Sequence, residues 1–145
     1  MQILLMTRKA LSKERHSICT TDKFFCPEKC GEALGFESGE IKDGQLSASS
    51  VWMGVNTFGP QHARLNNQKW PQGWSADLRD ENPWLKVSLD ADYVISGIAT
   101  QGYGNPVYSE WVESYYLVWL DIRASEVYYR EDGKVKVSTS RLAFL

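Results

Sequence analysis

From Trp84 to Leu89 the chain alternates. Leu85, Val87 and Leu89 fall on one side of an extended strand, Lys86 and Ser88 on the other, which is the period of a sheet with one face buried. Asp90-Ala91-Asp92 turns this run into a second, Tyr93-Val94-Ile95-Ser96-Gly97-Ile98-Ala99-Thr100, rich in residues that pack on a pleated surface. Gly102-Tyr103-Gly104-Asn105-Pro106 then reads as a loop. The segment from Trp111 to Leu120 carries too many aromatic and β-branched residues to prefer a helix. Val127–Glu131 and Lys134–Val137 flank Asp132-Gly133, a two-residue hairpin turn. Gly31, Gly35, Gly39, Gly44, Gly54, Gly59 and Gly73 punctuate the first half with turns. Short strands at this spacing predict an all-β chain, an antiparallel sandwich or barrel.

Length and charge bound the function. The 145 residues suit one domain. With 16 basic and 18 acidic residues, the net charge of −2 gives no global electrostatic case for nucleic acid. No apolar run approaches the length of a membrane span. Aromatic residues are abundant: 6 Trp, 7 Tyr and 5 Phe. The N-terminus opens Ile3-Leu4-Leu5-Met6, with its charges after that run rather than before it, so it makes a poor signal peptide. Residues 1–29 read as a flexible leader or a short frayed helix. Cys19, Cys26 and Cys30 are odd in number, which leaves at least one thiol unpaired within the chain. With His16 they have the chemistry of zinc ligands but not the usual paired spacing. Remnants of a disulfide framework are the competing reading.

Catalytic motifs are missing. Gly35-Phe36-Glu37-Ser38-Gly39 sets its serine one position late for a nucleophile elbow. Gly102-Tyr103-Gly104 continues Asn-Pro-Val, which provides no helix for a pyrophosphate. His62, the one histidine of the body, has no thiolate-stabilising surroundings to pair with. Asp77, Asp80, Glu81, Asp90 and Asp92 cluster in turn-like stretches and read as solvated loop acids, with a calcium loop as the alternative. No enzyme is expected, and no cofactor.

The order of landmarks then resembles a known family. Cys30, the stretch Ala33-Leu34-Gly35-Phe36-Glu37-Ser38-Gly39-Glu40-Ile41, and Gln45-Leu46-Ser47-Ala48-Ser49-Ser50 are similar to the opening of a discoidin domain, the coagulation factor 5/8 type C family. The resemblance continues in register through Ala63-Arg64-Leu65-Asn66, Gly73-Trp74, Trp84–Leu89, Thr100-Gln101-Gly102 and Trp111-Val112-Glu113-Ser114-Tyr115. It covers residues 30–137.

The resemblance implies a jelly-roll β-sandwich, galactose-binding-domain-like, of about eight strands. Hairpin loops at one end would act as spikes toward a ligand. Members of the family are extracellular, non-catalytic binding modules for anionic phospholipid, glycans, collagen or protein partners. By position, the first spike is Val51–Gly59, and the stretches Ser75–Arg79 and Gly102–Tyr108 share its end. The expected ligand-binding residues are Trp52, Met53, Phe58, Asp77, Arg79, Tyr103 and Tyr108. Residues 51–59 carry no charge, and large apolar groups on a turn mark an interaction patch. Tryptophan suits a membrane interface or a sugar ring, whereas one or two of these aromatics plugging the end of the barrel is the structural alternative. Arg79 is the one obvious cation for an anionic headgroup, which favours glycan or protein over lipid. Trp74, Trp84 and Trp111 match positions that the family buries. Arg64 reads as a structural charge paired with a carboxylate, and His62 as its surface neighbour.

Departures from the family set a second expectation. Ser88 stands where an aspartate is common. The family pattern continues to a closing cysteine that pairs with the counterpart of Cys30, whereas here Ser138–Leu145 is a tail unlike it. A sandwich lacking its last strands leaves edges open, and a missing disulfide costs about 2–5 kcal/mol. The alternative function is therefore an incomplete domain without binding activity of its own, which needs a partner to supply strands.

Overall fold

The computed structural model describes residues 2–9, 32–67, 73–91, 93–104, 109–120 and 123–139. These residues form strands joined by short 3-10 turns, with no α-helix among them. None of their helices is long and apolar enough to cross a membrane. The expected all-β class is the observed one. The chain divides into two compact units, Gln2–Thr100 and Gln101–Leu145.

The first unit holds β1 (Gln2–Lys9), β2 (Glu32–Ala33), β3 (Leu46–Ala48), β4 (Leu85–Val87) and β5 (Tyr93–Gln101), the last running one residue past the division. β1 is the centre of a three-stranded sheet ordered β2-β1-β5, antiparallel to β2 with Met6 opposite Ala33. Residues 2–9 thus differ from the expected flexible leader or frayed helix. The run Ile3-Leu4-Leu5-Met6 suits a strand once it has a neighbour on each side. His16, Cys19, Cys26 and Cys30, and with them the zinc and disulfide readings, lie outside the described residues.

β3 and β4 pair antiparallel, Leu46 opposite Val87 and Ala48 opposite Leu85. The predicted alternation holds: Leu85, Val87 and Leu89 are partly buried, Lys86 and Ser88 exposed. Trp84 follows the same period and faces outward with Lys86. It is 49% exposed, with the Lys86 ammonium 5.7 Å from its ring centroid. This corrects its expected place in the core. Among the described residues, the buried hydrophobic side chains are Phe36, Ile41, Leu46, Ala63 and Trp74. Arg64 ties this centre together, donating Nη1 to the Phe36 carbonyl at 2.6 Å and pairing Nη2 with Asp43, its guanidinium 5.5 Å from the Phe36 ring. That is the structural ion pair expected of it. Gly35, at φ +80°, sits where a Cβ would come within 2.4 Å of the Glu40 side chain, so no larger residue fits without displacement.

The second unit holds β6 (Tyr103–Gly104), β7 (Ser109–Glu110), β8 (Ser114–Tyr116), β9 (Val118–Leu120), β10 (Glu126–Tyr128), β11 (Arg130–Glu131), β12 (Lys134–Val135) and β13 (Val137–Thr139). All pair antiparallel, as β6-β7, β9-β10, β11-β12 and β13-β8. Tyr103 and Gly104 form a strand rather than the expected loop, because Glu110 and Ser109 pair with them. Trp111, at 43% exposure, is another correction to the expected core, since it lies between β7 and β8 rather than on a strand. Asp132 (φ 50°) and Gly133 (φ 75°) turn the β11–β12 hairpin in the left-handed geometry expected of Asp-Gly. Of the expected tail, Ser138 and Thr139 belong to β13, and residues 140–145 lie outside the described set.

Candidate functional site: two hydrogen-bonded loops

β3 delivers the chain into Ser49 and Ser50, and three consecutive 3-10 turns follow: Trp52–Gly54, Asn56–Phe58 and Pro60–His62. At the first, Val55 N–H donates to the Trp52 carbonyl at 3.3 Å. Met53 (φ 54°, ψ 14°) and Gly54 (φ 65°) lie between them, both left-handed, as in the mirror-image turns that reverse a chain most tightly. Glycine adopts this freely; methionine does so at a cost. Trp52 and Phe58, both half-buried, brace the turn from behind with ring centroids 4.8 Å apart, edge to face at 79°. Met53 is left 68% exposed at its crest. Of the three apolar residues expected to face a ligand here, Met53 stands out, while Trp52 and Phe58 chiefly support it.

The second loop runs from Trp74 to Asp80. Trp74 is buried and donates its indole N–H to the Ser50 carbonyl at 2.9 Å. Trp52 N–H donates to the Ser75 carbonyl at 2.8 Å, and Ser75 N–H to the Phe58 carbonyl at 3.2 Å. Asp77 N–H donates to Ser50 Oγ at 3.1 Å. The two loops therefore lie side by side.

Asp77 and Arg79 both sit in this loop, where they bind each other. Arg79 Nε and backbone N–H each lie 3.0 Å from Asp77 Oδ1, and Nη2 lies 3.3 Å from Oδ2. The side-chain hydrogen bond from Arg79 holds the Asp77 carboxyl below the usual aspartate range, and the same bond raises Arg79. Arg79 is thus a cation already matched by an anion. Between the pair stands Leu78, 90% exposed. Sequence reasoning passed over it, although an apolar residue between opposite charges in a turn is the signal that singles it out. Beyond it, Asp80 Oδ2 accepts hydrogen bonds from both Ser49 Oγ and Ser50 Oγ, each at 2.6 Å.

Tyr103 opens β6 in the other unit, and Tyr108 lies outside the described residues. Among the described residues no group of three or more His, Cys, Asp or Glu side chains is placed to hold a metal ion. The two loops expose Met53 and Leu78, are uncharged along residues 51–59 and carry Asp77, Arg79 and Asp80 alongside.

Comparison with known proteins identifies the family of the chain. The F5/8 type C domain model matches residues 45–139, well over half of the chain. Lactadherin of Mus musculus is 36% identical over 109 residues, 72% of this chain and 24% of the relative. EGF-like repeat and discoidin I-like domain-containing protein 3 of Homo sapiens is 32% identical over 111 residues, 74% of this chain and 23% of the relative. Retinoschisin of Mus musculus is 35% identical over 102 residues, 68% of this chain and 45% of the relative. The chain spans about a quarter of the length of the first two. No solved structure matches.

Proposed function

The chain belongs to the F5/8 type C, or discoidin, domain family, and from that premise we propose that it is a non-catalytic, extracellular recognition module of the adhesion type. Its ligand surface is the pair of loops carrying Met53 and Leu78. One observation carries the reading: among the described residues of the first unit, the two most exposed large apolar side chains stand on two loops hydrogen-bonded to each other. An exposed methionine in a costly backbone conformation points to function, since packing does not require it there. The charge balance selects among ligands. Asp77 matches Arg79, and Asp80 adds one negative charge, so the loops offer no net attraction for an anionic headgroup. A glycan-bearing or protein surface such as collagen suits them better than anionic lipid.

The test is a Met53→Ser, Leu78→Ser double variant, compared with the unaltered chain on collagen, on glycan arrays and on phosphatidylserine vesicles. Binding to collagen or glycan that falls roughly tenfold or more, with near-ultraviolet circular dichroism preserved, supports the reading. Binding that persists in the variant overturns the loop assignment. An apolar contact also resists salt, whereas headgroup attraction weakens as salt screens it. Vesicle binding that disappears in high salt would place the lipid first instead.

A further inference from the structure

Ser49, Ser50 and Asp80 join parts of the chain 30 or 31 residues apart. One carboxylate oxygen, Asp80 Oδ2, takes both serine hydroxyls at 2.6 Å, while Oδ1 accepts the Asn82 N–H at 3.1 Å. Each hydroxyl also accepts a backbone N–H: Ser49 Oγ from Trp84, just before β4, at 2.9 Å, and Ser50 Oγ from Asp77, in the second loop, at 3.1 Å. A hydroxyl that donates to a carboxylate is the better acceptor for it, since linked hydrogen bonds polarise one another. Charge-assisted bonds are also the stronger kind. The network ties the strand end before Met53 to the residues on both sides of Leu78.

We infer that Asp80 is a positioning residue of the recognition surface: through Ser49 and Ser50 it holds the Met53 loop and the Leu78 loop at one fixed spacing. The inference rests on the reading of those loops as the ligand surface. Asp80 itself touches no ligand. A clasped pair of loops presents its two apolar residues without further ordering on binding, which is where a preorganised surface gains affinity. Without the clasp each loop retains its own turn: the Val55–Trp52 bond closes one, and the Asp80 N–H to Asp77 carbonyl bond (3.0 Å) closes the other. The direct bonds from Trp52 to Ser75, Ser75 to Phe58 and Trp74 to Ser50 also remain, so what is lost is the rigidity of the spacing rather than the contact itself.

The test uses the full chain with Asp80→Ala and, separately, Ser49→Ala with Ser50→Ala. Hydrogen exchange is read at the amides of Trp52, Asp77 and Trp84, whose bonds cross between residues 49–52 and residues 75–84, and at Ile41 and Ser88, whose bonds lie outside the network. The clasp predicts exchange faster by about tenfold or more at the three crossing amides, with Ile41 and Ser88 unchanged. Equal acceleration at all five, or no change at any, overturns it. This readout needs no ligand, so it decides the clasp even where the recognition reading fails. On collagen, Asp80→Ala should weaken binding roughly tenfold, and Met53→Ser should cost clearly less in the Asp80→Ala background than alone. Strictly additive losses would remove Asp80 from the recognition surface.

Discussion

Met53 shows how one residue can carry a cost to local conformation for the sake of exposure. Its φ of 54° lies in the left-handed region, which costs a side-chain-bearing residue about 1–2 kcal/mol. Replacing it by glycine relieves that strain, while glycine's greater freedom in the unfolded chain offsets about 0.5–1 kcal/mol of the gain. Met53→Gly is therefore expected to raise the stability of the first unit by about 0.5–1 kcal/mol in urea titration and to weaken ligand binding. A variant both less stable and still binding would mean that the methionine is there for packing. Leu78 stores no such strain. At 90% exposure its replacement by serine should move stability by no more than about 0.5 kcal/mol, so any binding loss is a loss of contact.

Between elements, charge and hydrogen bonding set a pH dependence with a definite sign. Asp80 is held below its ordinary value of 3.8 by Ser49 first and Ser50 second, and Asp77 below the same value by Arg79. A carboxyl whose folded pKa is depressed stabilises the fold in full above its unfolded value, and that contribution disappears as pH falls through the folded one. Acidification from about pH 4 downward should thus open the two loops, seen as accelerating exchange at the Asp77 and Trp84 amides. Asp80→Asn should remove the pH dependence of the Trp84 amide and leave that of Asp77's own pair. In the second unit, Gly133 at φ 75° closes the β11–β12 hairpin, and Gly133→Ala should destabilise it by about 1 kcal/mol. These elements differ in how far sequence alone reveals them. The Asp132-Gly133 hairpin and the alternation from Leu85 to Leu89 are local patterns and were legible, and that alternation extended one residue back also places Trp84 outside. The insertion of β1 between β2 and β5 was not legible, nor the meeting of Asp80 with Ser49 and Ser50, because such partners are chosen over long separations by packing. Leu78 was missed for a different reason: the signal was local, an apolar residue between Asp77 and Arg79, but its 90% exposure follows from the conformation of its turn.

At the scale of the whole chain, exposed large apolar residues are, among the described residues, concentrated in the second unit. Tyr116, Val118, Trp119, Leu120, Tyr128, Val135 and Val137 are all exposed. All three residues of β9 are among them, so both faces of that strand meet solvent, and among the described residues it pairs only with β10. Two-stranded ladders are marginal alone, and an apolar strand with an unpaired edge is a template for another strand. This observation favours the second reading of function, in which a partner supplies strands to the sheet. Sedimentation velocity separates it from a self-sufficient module. Strand addition between copies predicts a weight-average sedimentation coefficient that rises with concentration, and a Val118→Lys, Leu120→Lys variant that remains monomeric. Both positions are already exposed on one face of β9, so the charges should cost the fold little while blocking association. A chain that sediments as one monomer at every concentration, and a variant indistinguishable from it, would rule out strand addition between copies and leave recognition through the Met53 and Leu78 loops as the activity of the monomer.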